Sequence, residues 1–128
     1  MFSNTRAFSS FSVDSIERAK AFYGEVLGLR VDNSPMGPIV VHLAGGNSVM
    51  AYPKPNHVPA TFTILNFAVD NIETTAEQLA DKGVTFEQYD GQIKTDEKGI
   101  CRNPGGPAIA WFKDPAGNIL SIVEDSQN

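Results

Sequence analysis

The sequence predicts an α+β fold built from two tandem βαβββ modules. Three observations carry that expectation. Residues Phe11-Ser12-Val13-Asp14-Ser15-Ile16-Glu17 recur 56 residues later as Phe67-Ala68-Val69-Asp70-Asn71-Ile72-Glu73, with five of the seven positions identical. Gly46-Asn47-Ser48-Val49-Met50 is echoed 71 residues later by Gly117-Asn118-Ile119-Leu120-Ser121. Each copy of the first echo also ends an alternating apolar stretch and opens an amphipathic pattern. Repetition at such a period marks two copies of one supersecondary unit, so equivalent positions are expected to line one shared cavity.

The elements follow in order. Arg6 to Val13 alternates as a strand. Asp14 is placed to cap the helix that follows, with Glu17 at capping-box spacing. Ile16, Ala19, Phe22, Tyr23, Val26 and Leu27 supply one apolar face, and Gly28 stops the helix. Strands are expected at Leu29 to Asn33, Pro38 to Leu43 and Ser48 to Tyr52, punctuated by Pro35-Met36-Gly37-Pro38 and Gly45-Gly46-Asn47. Pro53 to Ala60 holds three prolines and reads as the linker. The second copy has a strand at Thr61 to Val69, a cap at Asp70 with Glu73, and a helix through Ile72, Ala76, Leu79 and Ala80 that stops at Gly83. Further strands are expected at Val84 to Gln88, Ala108 to Lys113 and Asn118 to Glu124, the last two joined by the turn Asp114-Pro115-Ala116-Gly117. The growth of the offset from 56 to 71 places 15 extra residues (71 less 56) between Gln88 and Pro107. A loop of that length inside a compact domain is either functional or a surface excursion.

Composition bounds the function. A chain of 128 residues with 41% hydrophobic residues is one globular domain by size, 1–128, with modules at 1–56 and 57–128. A formal charge of −5 disfavours nucleic acid and anionic membrane as partners, since both need a basic footprint. One cysteine, Cys101, excludes an intramolecular disulfide. No apolar run approaches membrane-spanning length, and the expectation is a cytoplasmic protein.

Val13-Asp14, followed by Ala21-Phe22-Tyr23-Gly24-Glu25-Val26-Leu27-Gly28-Leu29, resembles the vicinal oxygen chelate superfamily. That group includes glyoxalase I, bleomycin-resistance proteins, fosfomycin-resistance enzymes and extradiol dioxygenases. Phe112-Lys113-Asp114-Pro115-Ala116-Gly117-Asn118 is similar to its strand–turn–strand signature. With the repeat, the resemblance covers nearly the whole chain. It implies an open, curved mixed sheet around a cleft, often in dimers, and a homodimer is expected here. It also implies, for the family's enzymes, a divalent metal held by His and Glu from four strands. Carried onto this chain, those four positions are Phe8, Met50, Ile64 and Ser121. None is His, Asp or Glu, and a thioether and a hydroxyl do not replace imidazole, carboxylate or thiolate donors. Shifting each position by one residue restores no site. No metal and no cofactor are therefore expected.

Alternation extends the inward-facing set. Ser10, Ser12 and Asn66 join Phe8 and Ile64, while Tyr52 and Ile119 join Met50 and Ser121. The resulting wall is mostly apolar with a few hydroxyls and one carboxamide, the make-up of a small-molecule pocket. Ser10, Ser12, Asn66 and Ser121 would need partners if this face were a dry core.

The remaining candidates are weaker. His42 is an acid–base candidate because imidazole titrates near neutrality; His57, in the linker, reads as solvated. Cys101 reads as a free thiol, and Lys94, Lys98 and Arg102 as a charged loop offset by Asp96 and Glu97. Trp111 reads as core or dimer contact, or as a stacking platform if alternation turns it inward. Asn103-Pro104-Gly105-Gly106-Pro107 lacks the lysine and helix of a phosphate loop.

The favoured expectation is a metal-free protein that holds a small organic molecule. The alternative is a cofactor-independent isomerase or lyase. A metal-dependent lyase or dioxygenase is the least favoured.

Overall fold

The computed structural model describes residues 1–125. Residues 126–128, which the sequence assigns to the end of the second module, lie outside the described residues. The chain divides into two compact units, Met1–Pro59 and Ala60–Asn128.

The first unit runs β1 (Ser9–Val13), α1 (Ile16–Ala21), β2 (Arg30–Asn33), β3 (Ile39–His42) and β4 (Ser48–Pro53). Its sheet order is β1-β4-β3-β2, with β1 parallel to β4 and the other pairs antiparallel. The apolar helical spacing after α1 is taken up by a π-helical turn, Phe22–Val26, before Gly28 at φ 73° reverses the chain. One face of the sheet is core: Phe11 and Val13 of β1, Ile39 and Val41 of β3, and Val49 and Ala51 of β4 are buried. Ala19 and Tyr23 cover them, and the Tyr23 ring meets Phe11 at 5.7 Å and Phe22 edge-on at 5.2 Å.

The second unit runs β5 (Thr63–Val69), α2 (Ile72–Asp81), β6 (Ile100–Cys101), β7 (Ile109–Lys113) and β8 (Ile119–Glu124). Its order, β5-β8-β7-β6, reproduces the first unit's topology, again with one parallel pair. Ile72, Ala76, Ile100, Ala110, Phe112, Leu120 and Ile122 form its core. The expected mixed sheet thus occurs as two open four-stranded sheets, one per module.

Three expectations need correction. The caps lie one residue later than Asp14 and Asp70. Ser15 Oγ accepts from the Arg18 amide at 3.3 Å, and Asn71 Oδ1 accepts from the Thr74 amide at 3.0 Å. This leaves Glu17 and Glu73 in the first helical turn rather than at capping-box spacing. Glu124 Oε2 adds a further acceptor at α2, taking the Ile72 amide at 3.0 Å. Second, Val84 to Gln88 is not a strand. It touches β7 through a single bridge, Phe86 to Phe112, and through the Glu87 amide donating to the Trp111 carbonyl at 2.8 Å. Third, the long 89–107 segment contains β6, which takes the sheet edge that β2 takes in the first module.

Candidate functional site

In each module the helix covers one sheet face and leaves the other to be built from the residues between the core positions. In the first module, Ser10 is level with Met50 and Ser12 with Tyr52, while Met50 is level with Val40 of β3. Ser12, Val40 and Met50 are half-buried, and Tyr52 is 37% exposed. Phe8 precedes the ladder and is 59% exposed, so pairing does not fix its direction.

His57, which reads as solvated in the sequence, is half-buried and bonded: its Nδ1 lies 2.6 Å from Ser12 Oγ. The local sequence explains the placement. The Lys54 amide continues the parallel ladder by donating to the Val13 carbonyl at 3.0 Å. The His57 amide then donates to the Lys54 carbonyl at 3.0 Å, closing a turn with Pro55 at its second position. At the far edge, His42 Nε2 lies 2.7 Å and Arg30 3.1 Å from Asp32 Oδ2. The hydrogen bond to His42, aided by the Arg30 charge, holds the Asp32 carboxyl below its ordinary value of 3.8.

In the second module, Asn66 is level with Ser121, and Ser121 with Trp111. This rung is equivalent to Ser10–Met50 in the first module: the echo offsets, 56 and 71, take Ser10 to Asn66 and Met50 to Ser121. Ser121 is fully buried and its hydroxyl donates to Asn66 Oδ1 at 2.5 Å. Ile119 is half-buried on the same face by alternation. Ile64 is half-buried, but the ladder shifts between Thr63 and Leu65. The residue level with Ile119 is Thr63, and alternation does not fix the facing of Ile64.

Trp111 shares the Ser121 face, and Tyr89 from the long segment packs against it edge-on at 5.6 Å. Its alternation with the core residue Phe112 is the signal that reveals it. Cys101 is buried, and its thiol lies 3.7 Å from Asn103 Oδ1. Two cations of the long segment are paired, chiefly with α2: Lys98 with Glu77 at 3.6 Å, and Arg102 with Glu73 at 2.5 Å and with Asp96 at 3.9 Å. A separate open groove of about 370 Å³ lies between α2 and this segment, lined by Ala76, Ala80, Val84, Phe86 and Lys98 among others. None of the nine expected pocket residues lines it.

The four family metal positions carry a phenyl ring, a thioether, a branched alkyl group and a hydroxyl. Among the described residues no three His, Cys, Asp or Glu side chains gather to hold a metal ion. This donor set does not fit the divalent metals that family enzymes hold.

Two βαβββ repeats, each with a parallel first-to-last strand pair, define the class of paired-module α+β proteins. The chain belongs to the Glyoxalase/Bleomycin resistance protein/Dioxygenase superfamily, whose family profile matches residues 8–122. No curated protein matches the sequence. Solved structures share the fold. TnmS3, an antibiotic-binding protein from Streptomyces sp. CB03234, is 24% identical with a TM-score of 0.67, covering 96% of this chain and 98% of its own. A lactoylglutathione lyase from Agrobacterium tumefaciens is 18% identical with a TM-score of 0.69, covering 98% of this chain and 97% of its own. A superfamily member from Sphaerobacter thermophilus is 22% identical with a TM-score of 0.70, covering 94% and 98%. These likenesses concern the fold, which hosts both a binding protein and a lyase.

Proposed function

We propose that this protein is a metal-free small-molecule-binding protein of the glyoxalase/bleomycin-resistance type. It holds an organic ligand on the largely apolar sheet faces that the helices leave open, and it acts as a homodimer in the cytoplasm. The observation that carries the reading is the donor set at Phe8, Met50, Ile64 and Ser121, which offers nothing to a divalent ion. Met50, Tyr52 and Ile119 supply apolar contact, and Ser10, Ser12 and Asn66 supply sparse polar groups that orient a ligand. Binding of an antibiotic, as the name of TnmS3 states for that protein, is one form such a function takes.

A cofactor-independent isomerase or lyase is the second reading. The His42–Asp32 pair favours it, since a carboxylate that orients an imidazole is the arrangement of a general base. It ranks second because both side chains are more than a third exposed, at 36% and 49%.

Native mass spectrometry on protein purified without added metal or chelator tests the first reading. A dimer mass carrying an organic adduct and no metal is the expected result. One metal per site that survives gentle desalting overturns it.

A further inference from the structure

We propose that Ser12 and His57 form a nucleophilic hydroxyl–imidazole pair that accepts an acyl group from an activated ester. The proposal goes beyond the binding reading, because binding on this face requires hydrogen bonds and apolar contact but no reactive group.

The geometry has three parts. Ser12 Oγ and His57 Nδ1 are 2.6 Å apart, the contact a general base makes with the hydroxyl it activates. With the ring proton on Nε2, the hydroxyl donates to Nδ1. Ser12 stands on the helix-free face of β1, level with Tyr52, and one step from the Ser10–Met50 rung along that face, so an apolar ester has a surface beside the hydroxyl. The imidazole is held before any substrate arrives. The ladder bond from Lys54 to Val13 and the turn bond from His57 to Lys54 fix the backbone, and Pro53, Pro55 and Pro59 restrict it further.

The chemistry balances. Ser12 Oγ bonds to the acyl carbon while its proton passes to His57 Nδ1. The bond from the acyl carbon to the leaving oxygen breaks, and the leaving group takes the proton from the imidazolium. Solvent water then attacks the acyl carbon and gives a proton to His57. The acyl–Oγ bond breaks, Oγ is reprotonated, and the free acid leaves.

The test uses p-nitrophenyl acetate with the full chain, following p-nitrophenolate release, intact mass and the modified residue by peptide mapping. One acetyl group on Ser12 is expected. Ser12→Ala should abolish it. His57→Gln, which keeps a hydrogen-bonding side chain but removes the base, should slow it about 100-fold or more. Ser34→Ala, at a serine whose hydroxyl donates to the Pro35 carbonyl, should leave the rate unchanged. If Ser12→Ala fails to fold, Ser12→Cys reads the same pair through acetylation of the introduced thiol and its dependence on His57. Acetylation elsewhere, no acetylation of Ser12, or an equal rate in His57→Gln overturns the proposal and leaves the bond as a structural pin. A non-covalent organic adduct in native mass spectra survives that failure, so the two proposals fail separately.

Discussion

Asn71 closes the start of α2 by accepting the Thr74 amide at 3.0 Å, and Ser15 does the same for α1 at the longer distance of 3.3 Å. Losing such a cap costs about 1 kcal/mol. Asn71→Ala should therefore lower unfolding free energy by about that amount in urea titrations, and by more than Ser15→Ala. Asp14 and Asp70 were equally good capping residues on composition alone. What decides between neighbours is how far the strand runs: pairing continues to Val13 and Val69, so the bend falls on Asp14 and Asp70 and the cap on the next residue. His57 shows the same limit. Nothing local links it to Ser12, 45 positions away; the contact exists only because β1 and β4 pair in parallel and Pro55 turns the chain back. The sheet facing of Ser10, Ser12, Met50 and Asn66 was readable because period-2 alternation survives as long as the ladder does. It stops at Phe8 and shifts at Ile64.

Among the elements, β6 escapes a sequence reading because two residues cannot show alternation. Its place is set by Gly99 instead. At φ +84° Gly99 turns the chain toward β7, and a Cβ built there would lie 2.6 Å from Phe86 Cβ. Phe86 and Ile100–Cys101 thus divide one edge of β7 between them, level with Phe112 and with Ala110 and Ile109 respectively. Gly99→Ala combines a left-handed backbone penalty with overpacking, for about 2–4 kcal/mol. Gly28→Ala, at φ +73° with open space around it, meets only the first, about 1–2 kcal/mol. Chemical denaturation of both variants checks that order, and equal losses would show that Phe86 yields to the added methyl. β2, β3 and β4 were legible to within a residue at either end because each has four or more residues and a turn signal on both sides, whereas β1 begins at Ser9, three residues after the expected Arg6, where no turn signal marks its start.

Over the whole chain, the repeat was the strongest signal, and the pairing explains why it works. The same rung, first strand to last strand, is built twice with the offsets that the two echoes carry. Charge acts at the same range. With 15 acidic and 10 basic side chains, the protein lacks the cationic excess that polyanions need. Fluorescence anisotropy of labelled duplex DNA at about 50 mM salt should show no binding, the low-salt condition being where counterion release is strongest. Saturable binding there would place a basic stripe on a surface that composition alone does not reveal. No helix among the described residues is long and apolar enough to cross a membrane.

The carboxylate of Glu124 at the first amide of α2 sets an order of events on the ribosome. The two groups are 52 positions apart, and the Asp125 amide returns to Val69 in the same region. α1 is capped by its own Ser15, and β1 finds β4 within the first 53 residues, so the first module can settle while translation continues. α2 likewise has a local cap in Asn71, but its Glu124 acceptor and the ladder partner of β5 are both absent until β8 is made. For that interval the apolar side of α2, Ile72 and Ala76, is open to whatever meets nascent chains, and a pause in elongation before Ile119 is added lengthens the exposure.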